Sequence, residues 1–205
     1  MKKVSAFFAV LFLLLVGCSQ DSSDFSVSYP VVGTKHNQYF ALRPQEFLDE
    51  FNTTIEGLAP SLQIIDSKSN RKVYLSQNGD TWKISLDVFT EDDIYNDEQK
   101  DWVDYIHELE LSLYSDNEAT AKENGQYIRA IIHLFTPGVE EEVEDVLGIY
   151  GDPHEDALIT ENVTRATYGN VCYTYKGGDS FIVTPYDEAL YNSVQETPPS
   201  AIRPE

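Results

Sequence analysis

Basic residues are scarce in this chain: 14 Lys and Arg stand against 35 Asp and Glu among 205 residues, a formal charge of −21. A nucleic-acid surface needs a basic footprint for phosphate, so that class of partner is excluded. Cysteine is scarcer still. The two present, Cys18 and Cys172, are too few for a disulfide framework, and stability has to come from packing. With 41% hydrophobic and 12% aromatic residues the chain has the material for a core, which excludes wholesale disorder. After the first twenty residues no apolar run is long enough to cross a bilayer as a helix. The length suits one domain with tails.

Those first residues carry an address. Lys2 and Lys3 precede a thirteen-residue run, Val4 to Val16, in which only Ser5 is polar. Thirteen falls short of the roughly twenty that a permanent membrane helix needs, so the run reads as a removable signal h-region. Leu15-Val16-Gly17-Cys18 resembles the lipobox of bacterial lipoproteins. The resemblance implies a diacylglyceryl thioether and palmitate-type acylation at Cys18, cleavage before it, and attachment to the extracytoplasmic side of the cell membrane through lipid. Ser19 resembles an outer-membrane sorting signal, for a cell that has one. Losing residues 1–17 takes two lysines away, which leaves 188 residues at −23. Such a body is repelled by anionic lipid and should stand off the surface. The expected organisation is a signal peptide over 1–17, a lipidated N-terminus and flexible tether over 18–37, one domain over 38–188 and a loose tail over 189–205.

Periodicity predicts the body. Pro44 to Ile55 is a helix, with Pro44 in its first turn and Phe47, Leu48, Phe51 and Ile55 on one face. Strands follow at Leu62 to Ile65, Lys72 to Leu75 and Trp82 to Val88. Asn78-Gly79 signals a tight hairpin, with Trp82, Ile84, Leu86 and Val88 inward and Lys83, Ser85 and Asp87 outward. An acidic loop, Glu91 to Asp101, leads to the alternating strand His107 to Leu113. Ser115 and Glu118 suggest a capping box for a helix with an Ile128, Ile131, Ile132 and Phe135 stripe, broken at Pro137. A further helix, Val139 to Tyr150, has Glu140, Glu141 and Glu142 in its first turn and Gly151 and Pro153 after it. Three strands complete the pattern, at Arg165 to Tyr168, Val171 to Tyr175 and Ser180 to Thr184. Consecutive strands with short turns predict an α+β fold: an antiparallel sheet of six or seven strands with two to three amphipathic helices packed on it.

Two local resemblances add to this. The stretch Val146-Leu147-Gly148-Ile149-Tyr150-Gly151-Asp152-Pro153 resembles the helix end of small envelope lipoproteins of the SmpA/OmlA type, which implies a role in outer-membrane barrel assembly. Pro44, Phe47 and Phe51-Asn52 before strands are similar to lipoproteins of low-GC Gram-positive bacteria. Neither implies catalytic residues.

Catalytic signals are weak. Ser69 with Lys72, Ser115-Asp116-Asn117 and Lys176-Gly177-Gly178 imitate the motif set of penicillin-recognising enzymes. Yet Ser69 precedes a strand, where residues three apart point to opposite faces. Cys172, in mid-strand, reads as a small buried hydrophobe. His36, His107, His133 and His154 lack ligand spacing, with His107 read as a satisfied rim residue. No cofactor is expected. Asp97, Gln99, Asp101 and Glu108 match four positions of a calcium loop, but Trp102 stands where glycine must bend it. Asp92, Asp93, Asp97 and Asp101 remain as a loose cation-binding loop. The sequence therefore leads to an acidic, non-enzymatic binding or accessory module for a basic protein, a basic peptide or a wall component. An envelope hydrolase and an envelope assembly factor are the alternatives.

Overall fold

The computed structural model describes residues 26–65, 71–79, 81–115, 117–149 and 163–189. Cys18, the signal segment, Ser69, Gly151 to Pro153, His154 and the chain beyond 189 lie outside them.

Order begins earlier than position 38. A hairpin, β1 (Val31–Gly33) and β2 (Gln38–Phe40), occupies part of the stretch expected to be tether. Its short strands carry too few residues to show an alternation, which is why the sequence conceals them. Tyr29, Tyr39 and Phe40 are buried, so the core draws on this segment. Next come α1 (Pro44–Thr54), β3 (Gln63–Ile65), β4 (Lys72–Ser76), β5 (Ile84–Val88), β6 (Ile106–Ser112), α2 (Glu118–Phe135), α3 (Glu140–Leu147), β7 (Thr164–Tyr168), β8 (Val171–Tyr175) and β9 (Ser180–Pro185).

The fold is α+β. Two antiparallel meanders join through β6 and β9 in the order β3-β4-β5-β6-β9-β8-β7, and β2 pairs with the start of β6. Register explains the layering. Leu75, Ile84 and Leu111 align across neighbouring strands, as do Val73, Leu86, Leu109, Val183, Tyr173 and Ala166, and all belong to or pack against the core under the helices. The opposite row runs Tyr74, Ser85, Glu110, Ile182, Thr174 and Arg165. Phe135 at the end of α2 closes the core, with its ring 4.7 Å from Phe40 and 5.2 Å from Tyr29. The Asn52 amide clamps Leu62, donating to its carbonyl and accepting its N–H at 2.8 Å each.

Several local expectations need correction. Trp82 is not inward: it is 38% exposed and lies 6.0 Å from the Tyr74 ring. The turn before it is wider than a two-residue hairpin, because Ser76 Oγ accepts from Asn78 and Gly79 N–H, and β5 starts only at Ile84. Ser85 does lie on the outward row, as expected, but it is buried there between Tyr74 and Glu110. The cap of α2 is Asn117, whose side chain accepts from Thr120 N; Ser115 instead donates to the Asn117 carbonyl. Helix α3 stops at Leu147, since Gly148 takes the left-handed conformation at φ 74°. In β6 a bulge pairs Val88 with Ile106 directly after Asp87 with Glu108. The extra residue, His107, leaves the Leu109 and Leu111 face, and Ile106 enters the core.

Candidate functional site

The acidic loop between β5 and β6 is built from its own side chains. Thr90 donates to Asp93 Oδ2 from its N–H (3.0 Å) and its hydroxyl (2.8 Å). Asn96 Oδ1 accepts from Gln99 N at 3.2 Å, and Gln99 Oε1 accepts from Tyr95 N at 2.7 Å. Two short 3₁₀ turns result, Glu91–Asp93 and Asp97–Trp102. Arg71 fastens the loop to the sheet, with Nη1 3.0 Å from Asp93 Oδ1 and Nε 3.6 Å from Asp87 Oδ1. Burial alone would raise the Asp93 pKa. The Thr90 hydrogen bonds and the Arg71 charge outweigh it and hold the carboxyl below its ordinary value.

Under this loop sits an aromatic wall. Tyr39 lies edge-on to Phe89 at 5.1 Å, and Trp102 lies 5.9 Å from Phe89 and 6.5 Å from Tyr39. Burial first, then the Asp93 charge, pushes the Tyr39 phenol upward, so it stays a neutral donor at neutral pH. These rings line a cavity of about 390 Å³ together with Asn37, Arg71, Asp93, Tyr95 and Gln99. The loop that contributes Asp93, Tyr95, Gln99 and Trp102 to it is acidic. The segment from Glu91 to Asp104 holds seven carboxylates against one lysine, and Tyr95 stands 87% exposed beside it. Tyr39 and Phe89 are buried, Trp102 is partly exposed, and inside the cavity the Asp93 charge is matched by Arg71, so the surplus negative charge lies on the loop outside it.

No family model matches this chain, and no curated protein or solved structure is similar to it.

The four aspartates expected to share a cation are not brought together. Asp93 turns inward to Arg71, Asp97 pairs with Lys100 at 2.7 Å, and Asp92 and Asp101 are exposed. Among the described residues no group of three or more His, Cys, Asp or Glu side chains is placed to hold a metal ion. The reason lies in the turns: at three residues per turn, successive side chains splay apart, and the loop directs its inward oxygens at its own N–H groups.

His107 Nδ1 lies 2.8 Å from the Gln38 carbonyl, so it is a satisfied rim residue. His133 pairs with Glu140 on the surface. Cys172 is half-exposed rather than buried, since it stands on the sheet row facing away from the helices, next to the inward Tyr173.

Tyr39, Arg71 and Phe89 escaped the sequence reading, whereas Trp102 was singled out there. One signal was present: the bulky Trp102 that spoils the calcium loop is the residue that walls the cavity.

Proposed function

We propose that this chain is a lipid-anchored extracytoplasmic binding module that captures basic peptide segments at its acidic loop. The carrying observation is the cavity lined by Tyr39, Phe89 and Trp102, three rings that come from or adjoin a loop with seven carboxylates against one lysine. An exposed Lys or Arg side chain gains about 0.5–1 kcal/mol on an aromatic face, and more once water is excluded. The loop carboxylates add long-range attraction that raises the encounter rate and is screened by salt. Asp93, the carboxylate inside the cavity, is tied to Thr90 and Arg71 and kept ionised, which favours a fixed recognition role over proton transfer. Placement outside the membrane rests on the run from Lys2 to Cys18.

Two measurements test this reading. Titration of the mature chain with an oligo-lysine peptide should give saturable binding that weakens steeply as salt rises; affinity indifferent to salt would overturn the electrostatic part. Mass analysis of the native N-terminus should find an acylated Cys18, and an unmodified, uncleaved leader would overturn the membrane placement.

A further inference from the structure

The end of the sheet away from the acidic loop holds an anomaly. In a chain with 35 carboxylates, the half-buried ammonium of Lys83 has no hydrogen bond or ion pair among the described residues. Its backbone is pinned on both sides, Lys83 N donating to Leu75 O at 2.7 Å and its carbonyl accepting from Ser112 N at 2.9 Å. The side chain lines a cavity of about 350 Å³ with Gln77, Asn78, Trp82, Tyr114 and Glu123, within the range of ~300–1,000 Å³ typical of small-ligand sites. Glu123 is the carboxylate whose field reaches Lys83, but Glu123 Oε2 already accepts from Gln77 Nε2 at 3.1 Å. That amide also donates to Tyr127 Oη at 2.7 Å, and Tyr127 donates to the Pro60 carbonyl at 2.7 Å. The network holds Glu123 in place, so among the described residues no carboxylate is positioned to pair with Lys83.

We propose that this cavity is a second binding site, for a small monocarboxylate whose apolar or ring-shaped body rests against Trp82 and Tyr114. One cation with no ion pair among the described residues calls for one negative charge. A doubly charged phosphate would meet Glu123 and the −21 field of the whole chain with only Lys83 to offset them. The body of the ligand follows from the exposure of the two rings, 38% for Trp82 and 77% for Tyr114, which leaves aromatic surface open at the mouth. Burial lowers the Lys83 pKa to about 8, so at neutral pH the side chain is still mainly an ammonium, poorly solvated and ready to gain from a carboxylate.

Phenylacetate, phenylacetamide and phenethylamine form a matched set of anion, neutral amide and cation for titration against the full chain by calorimetry. Phenylacetate should bind saturably and about tenfold or more tighter than the other two, the worth of one charge-assisted hydrogen bond. Lys83→Met should remove that preference while Lys83→Arg keeps part of it. Equal binding of all three probes, no saturable phenylacetate binding, or an unchanged preference in Lys83→Met would each overturn the proposal. The methionine variant removes a partly desolvated charge, so it should fold at least as well as the parent.

Discussion

Arg71 Nη1 donates to Asp93 Oδ1 at 3.0 Å, and this bond fastens the acidic loop to the start of β4. Both partners reach solvent, with the Arg71 side chain 51% exposed, so the pair contributes little to global stability. Arg71→Met should cost only ~0.5–1 kcal/mol in urea unfolding. Its larger effect should be local: amide exchange from Ile94 to Gln99 should speed up while exchange in β6 stays unchanged, as expected when one fastening of a subglobal unit is lost.

Acid should expose the loop's dependence on ionised Asp93. Its folded pKa is lowered, so its stabilisation is present above the ordinary carboxylate value and lost as pH falls below about 4. Glu140 behaves alike: burial opposes the shift, and the His133 and Gly138 hydrogen bonds prevail. Unfolding free energy should therefore drop as pH falls below the ordinary carboxylate range of about 4, and Asp93→Asn with Glu140→Gln should flatten that drop.

Lys83 carries the opposite charge, and its window lies on the alkaline side. With a folded pKa of about 8 against 10.5 when free, the unfolded chain binds more protons between those values, so stability rises with pH there. Lys83→Met should be more stable than the parent at pH 7 by ~1 kcal/mol, a figure already reduced for solvent screening. The gap should close as pH climbs from 8 towards 10.5. A constant gap across that range would contradict the burial argument.

The heaviest stability loss belongs in the core. Phe135 is fully buried against Phe40, Tyr29 and Phe47, at the point where α2 meets β2 and α1. Phe135→Ala should cost ~3–5 kcal/mol, a large share of the ~5–15 kcal/mol that holds a domain folded. Thermal denaturation followed by circular dichroism measures it.

Long apolar periods were legible in the sequence, and contacts made at a distance were not. The Ile128, Ile131, Ile132 and Phe135 stripe and the β6 alternation from Leu109 to Leu113 stand in the structure as their spacing requires. Asn78-Gly79 did mark a turn, but Ser76 Oγ shapes it and moves Trp82 off the strand, so the parity carried back from Ile84 fails there. The bulge at His107 likewise depends on which residues of β5 lie opposite. At the candidate site the loop was visible as a run of acids. Its contents were not, because Tyr39, Arg71 and Trp102 are separated by tens of residues and meet only through the pairing of β2, β4, β5 and β6.

Trp102 lies in the cavity wall, and Trp82→Phe would leave it as the sole tryptophan, an emitter inside the site. An oligo-lysine peptide titrated into that variant should change the Trp102 emission saturably. Adding Asp92→Asn, Asp97→Asn, Glu98→Gln and Asp101→Asn should weaken the binding about tenfold or more at low salt, as the loss of several loop charges requires. Peptide binding that leaves the Trp102 emission unchanged, or that survives neutralisation of the loop, would contradict the account.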